Sequence, residues 1–153
     1  MADFLIQRFP GVAQAEWLAR LQRGDVIDDA GMAIGQQDAY TPGRRVYYYR
    51  AVPNEPRIPF DEVVLLQDAH LLVVDKPHFL PVLPSGKYLQ ETVLTRLKQR
   101  LGLQHLTPIH RIDRDTAGLV LFSIQPATRD GYHALFREHR VSKTYEAIAP
   151  WNP

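Results

Sequence analysis

Apolar positions along the chain change period several times, and each change predicts an element. Phe4, Leu5 and Phe9 suit a short helix ending at Pro10-Gly11, and Trp17, Leu18 and Leu21 mark a second over Ala13–Arg23, stopped by Gly24. Val26-Ile27 and Met32-Ala33-Ile34 flank Asp29-Ala30-Gly31, which predicts a hairpin. Thr41-Pro42-Gly43 is a turn leading into a β-branched and aromatic strand, Val46-Tyr47-Tyr48-Tyr49. Pro53, Pro56 and Pro59 fix φ and remove donors, so 53–60 is expected to be a semi-rigid linker.

Beyond it, Val63–Leu66 and Leu71–Val74 are short apolar runs separated by a hairpin-length connection. Gln90–Leu101 places Val93, Leu94, Leu97 and Leu101 on one helical face before Gly102. Gly118–Ser123 reads as a buried strand. Pro126 starts a helix over Ala127–His139, and Ser142–Pro150 alternates as a final strand. The expected class is α+β, with a small α/β module over 1–52 and a second domain from 61 onward.

Hydrophobic residues make up 45% of the 153, enough for a packed core. Cysteine is absent, which removes disulfides, thiolate metal sites and thiol nucleophiles and fits a reducing compartment. No apolar run reaches the roughly 18 residues that span a bilayer, and the N-terminus does not read as a signal peptide; a cytoplasmic location is expected. Net charge is +1, which neither supports nor excludes a nucleic-acid partner, because a local basic face can hide within it. Arg44/Arg45 and Arg96/Lys98/Arg100 are the candidate faces.

Candidate chemistry centres on His110-Arg111-Ile112-Asp113-Arg114-Asp115-Thr116-Ala117-Gly118-Leu119. Ionisable residues here run directly into a buried strand. Asp113 is thus a carboxylate on the rim of a core, where such groups serve as nucleophiles or general bases. Later, Lys143, Tyr145 and Ala147 share one face if their segment is extended. His110 is expected to be structural. The histidines lack the spacing of a metal cage, so no metal is expected.

The block resembles the His-Arg-Leu-Asp-x-x-Thr-Ser-Gly-Leu signature of the RluA family of RNA pseudouridine synthases, with Ile112 for Leu and Ala117 for Ser. Lys143-Thr144-Tyr145-Glu146-Ala147 resembles that family's Lys-x-Tyr-x-Ala motif, and Asp75-Lys76-Pro77 also looks familial. Members usually follow the latter with a Gly-rich loop, where this chain has His78-Phe79-Leu80-Pro81-Val82-Leu83-Pro84. The resemblance implies isomerisation of uridine to its C5-glycoside in ribosomal or transfer RNA. Asp113 would act at C1′, at C6 or in glycal formation. Tyr145 would stack on uracil and relay the C5 proton, and Arg111 would fill the space left by the extracted base. Lys143, Arg114 and Thr116 would bind substrate. No cofactor is expected, since no oxidation state changes.

The first module is similar to the S4 RNA-binding module, though its second helix carries only Arg20 and Arg23 as cations. Family catalytic domains continue further, with a later Arg that pairs with the catalytic aspartate. The expectation is therefore that 61–153 is the front part of such a domain and inactive by itself. A non-catalytic RNA-binding protein on the same scaffold is the alternative.

Overall fold

The computed structural model describes residues 1–49, 52 and 54–150. The chain divides into two compact units, Met1–Ala51 and Val52–Pro153. Both are built from helices and antiparallel strands, an α+β architecture.

The first unit runs α1 (Ala2–Arg8), α2 (Gln14–Arg23), β1 (Val26–Asp28) and β2 (Val46–Tyr48). The helical stripe of α2 turns Trp17 and Leu21 inward against Leu5, Val26 and Ile34, all buried. Tyr48 meets Trp17 edge-on at 5.0 Å, and the Arg20 guanidinium lies over both rings. The expected hairpin is a tight turn with a single bridge, Ile27 to Ala33, and the regular partner of β1 is β2. Backbone bonds close the turn, Asp28 N–H to Met32 O at 3.0 Å and Ile34 N–H to Val26 O at 2.8 Å, and the Asp28 carboxylate adds to them by accepting the N–H groups of Ala30 and Met32 at 3.0 and 2.9 Å.

In the second unit a four-stranded sheet has the order β3 (Val63–Gln67), β4 (Leu71–Lys76), β6 (Gly118–Ser123), β5 (Thr107–Pro108). Every pairing is antiparallel, in keeping with the largely antiparallel sheet expected of such a domain. Period-2 alternation sends Leu72 and Val74 of β4 and Val120 and Phe122 of β6 to one face. They pack with Val93 and Leu97 of α3 (Val93–Leu101), and with Leu80 and Leu106. Each such side chain contributes roughly 1.5–3 kcal/mol on burial. α4 (Pro126–Arg137) follows β6.

Two expectations change here. The helix expected from Gln90 starts at Val93, because the Glu55 carboxylate takes the N–H groups of Leu89, Gln90 and Glu91 at 2.6–2.8 Å and Thr92 caps Thr95. The same bonds attach the expected 53–60 linker to this unit from Glu55 onward, and Ile58 is buried there. The strand expected over Ser142–Pro150 is not formed: the segment is irregular and exposed. Alternation supplies a strand's side-chain pattern, but a strand also needs a neighbour's backbone, and among the described residues none pairs with it. No helix among the described residues is long and apolar enough to cross a membrane.

Candidate active site

The signature block forms the connection from β5 to β6. Ile109 N–H donates to Leu121 O at 2.8 Å, and Thr116 N–H closes a turn onto Asp113 O at 3.2 Å. Gly118 then enters β6 at φ 123°, a conformation that strains any residue with a Cβ. The glycine of the signature is needed at this corner.

Lys76 supports the loop from inside. Continuing the inward register of Leu72 and Val74, its side chain is fully buried at the end of β4. The ammonium donates to three carbonyls: Pro77 O and Leu80 O at 2.9 Å and Arg114 O at 3.0 Å. Three donors meet three acceptors, which is the arrangement a buried cation requires. Burial lowers its pKa to about 8, against the opposing pull of the Asp115 and Asp113 charges. It remains mostly protonated at neutral pH and adds positive potential beneath Asp113. In the sequence this segment stands out only by its likeness to a family motif, which gives Lys76 no role. The available signal was a cation at a core-facing register position.

His110 is anchored as well. Its Nε2 accepts the Leu121 N–H at 3.2 Å, which puts the ring proton on Nδ1, and its ring stacks on Phe136 at 4.7 Å. Burial, and then the Lys143 charge, hold its pKa below the ordinary value.

A cavity of about 670 Å³ opens beside this loop. His110, Thr116, Leu121 and Phe136 line it, together with Lys143 and Tyr145. The Lys143 ammonium lies 5.8 Å from the centre of the Phe136 ring. The two sequence motifs thus meet at one cavity, although the second is not a strand and the shared-face argument for Lys143, Tyr145 and Ala147 does not apply. Tyr145 is 61% exposed. Asp113 and Arg111 are exposed and stand outside the cavity lining. Arg114 pairs with Asp115 at 2.9 Å. Among the described residues no cation forms an ion pair with Asp113.

The candidate RNA cations separate into two groups. Arg96, 15% exposed, donates to Phe60 O and Ile58 O at 2.7 and 2.8 Å and pairs with Glu91 and with Glu62, itself 1% exposed. Arg100 pairs with Glu62 at 3.1 Å, and Arg44 with Asp28 at 2.6 Å. These three are committed to the protein's own carboxylates, which the spacing of basic residues does not reveal. Among the described residues Arg45 and Lys98 have no acidic partner.

A carboxylate-bearing loop, a buried lysine beneath it and a cavity lined by Lys143 and Tyr145 thus lie side by side. The sequence profile of the RNA pseudouridylate synthase family matches residues 70–153, over half of the chain. The chain belongs to that family, and the RluA-type resemblance of its motifs stands. An RNA pseudouridine synthase of Synechocystis sp. is 33% identical over 148 residues, covering 97% of this chain and 50% of that protein. RNA pseudouridine synthase 5 of Arabidopsis thaliana is 30% identical over 160 residues, covering 87% of this chain and 43% of that protein. The solved structure of human RNA pseudouridylate synthase domain containing 4 covers 50% of this chain and 30% of its own, at 30% identity and TM-score 0.43. The chain spans about half the length of the Synechocystis and Arabidopsis relatives.

Proposed function

We propose that this chain supplies the aspartate-bearing part of an enzyme that isomerises uridine to pseudouridine in structured ribosomal or transfer RNA. The observation that carries the reading is the Asp113 loop, fixed through Arg114 O to a buried ammonium, in a chain that belongs to the pseudouridylate synthase family. In the reaction the N1–C1′ bond breaks, a C5–C1′ bond forms, C5 gives up its proton and N1 gains one. Asp113 provides the carboxylate, acting at C1′, at C6 or in glycal formation. Tyr145 stacks on the uracil and relays the C5 proton. Arg111 occupies the gap left by the flipped base. Lys143, Arg114 and Thr116 hold the nucleotide, and Arg45 and Lys98 attract the RNA backbone. Arg44, Arg96 and Arg100 drop out of that last role, their charges being met internally. Met1–Ala51 serves as an S4-like RNA-binding module.

Residues 1–153 by themselves turn over slowly or not at all. The support is the exposed Asp113, without a cation partner among the described residues, and the unpaired Tyr145 segment. The same observation favours the second reading, an RNA-binding protein that retains the scaffold without catalysis. The separating experiment measures tritium released from RNA labelled at uridine C5, with Asp113 and with Asp113→Asn. Release that depends on Asp113 supports the enzyme. RNA binding without release by any protein that carries these residues supports the binding protein.

A further inference from the structure

Phe79 has a backbone φ of 67°, a left-handed value normally left to glycine, and its side chain is 51% exposed. For a bulky residue this conformation costs about 1 kcal/mol or more. Its two neighbours account for the backbone. The His78 ring donates from Nδ1 to Asp115 O at 2.7 Å, inside the signature loop. Leu80 is buried, and its carbonyl shares the Lys76 ammonium with that of Arg114. With residues on both sides tied to the Asp113 loop, the Phe79 ring is directed outward. There it meets Phe60 at 6.3 Å, itself 48% exposed, and the His78 ring at 5.9 Å. A ring that is half solvated gains too little packing to explain a strained aromatic at this position.

We propose that Phe79, with Phe60 beside it, is a stacking platform for an unpaired nucleobase next to the target uridine. The proposal rests on the pseudouridine synthase reading and adds a subsite to it. Extracting a uridine leaves its neighbours without a stacking partner, and an exposed aromatic face replaces that stacking whatever the base. The Arg111 side chain, exposed on the loop to which Phe79 is tied, supplies positive charge beside the flanking phosphates.

The test uses an RNA hairpin with one loop uridine and 2-aminopurine beside it, whose fluorescence falls on stacking. The full chain should quench the probe on binding. Phe79→Gly should keep the thermal stability, since glycine suits this φ, yet quench less and bind about tenfold more weakly, the loss of one base-stacking contact. Phe79→Tyr should restore both. Equal quenching and affinity in Phe79→Gly overturn the proposal and leave the synthase reading to the Asp113→Asn comparison. The same result with altered sedimentation of the variant also overturns it and assigns the ring pair to a protein contact. If the unsubstituted chain binds no RNA, the platform and the RNA-binding part of the proposed function fall together.

Discussion

The two motifs that identify this chain differ in how they are held. The signature loop is bonded on both sides: to Leu121 through Ile109 and His110, and to the Lys76 ammonium through Arg114. The Lys143–Ala147 segment is exposed and irregular, and its first four residues line the cavity without a backbone partner among the described residues. Both are equally visible as sequence. The difference teaches that a motif names the residues, while backbone partners decide whether their positions are set in advance. Catalysis depends on that preorganisation.

Removing the support under the first motif should make it resemble the second, and this is the largest effect expected. Lys76→Met leaves three carbonyls without their donor and should destabilise the second unit by about 3 kcal/mol or more. Amide hydrogen exchange should rise at Thr116 and Leu121. Unchanged protection there would mean that Lys76 does not hold the loop.

Alkaline pH probes the same contact more gently. The folded pKa of Lys76, about 8, lies below its ordinary 10.5, so the unfolded chain binds the proton more readily. The burial penalty is therefore fully present below about pH 8 and is relieved as pH rises toward 10.5. Denaturant titrations should show the stability difference between the unsubstituted chain and Lys76→Met widening across that window. A difference that stays flat contradicts the assignment.

Acid tests the other anchor. The folded pKa of His110 is depressed, so the unfolded state takes up protons first as pH falls below about 6.5. Stability should decline from there downward. The imidazolium has no lone pair for the Leu121 N–H, and the Lys143 charge opposes it. His110→Gln should flatten this dependence, read from denaturation midpoints at successive pH values.

The smallest effect belongs to the second motif. Tyr145→Phe keeps the ring and should change RNA affinity by less than about tenfold, since one hydrogen bond is worth roughly 0.5–1.5 kcal/mol. Within a protein of the relatives' full length, product formation should slow far more than binding. Full turnover in this variant removes Tyr145 from proton transfer.

Most of the fold was legible because its elements are local. Leu72 and Val74 alternate, Val93 and Leu97 lie one turn apart, and Gly24 and Gly102 end their helices in left-handed caps. What escaped depends on distant partners. Glu55 shortens α3 from 34–36 residues away in sequence, and β5 is a two-residue strand defined by its pairing with β6. In the site, Asp113 was singled out by its neighbours, but Lys76 gains its role only when Arg114 O arrives from 38 residues on. Arg96 was expected on a basic RNA-facing helix surface, and Glu91 and Glu62 pair with it. A spacing carries no information about which carboxylates fold against it.

The most direct measurement is C5-tritium release from uridine-labelled RNA by three samples. These are residues 1–153, the same residues within a protein of the relatives' full length, and that longer protein with Asp113→Asn. The account predicts release from the second alone, the third falling roughly a thousandfold or more, the scale of losing a group that acts in bond making and proton transfer. Comparable release from residues 1–153 would show that an exposed Tyr145 segment suffices. Undiminished release from Asp113→Asn would remove the carboxylate on which the whole reading rests.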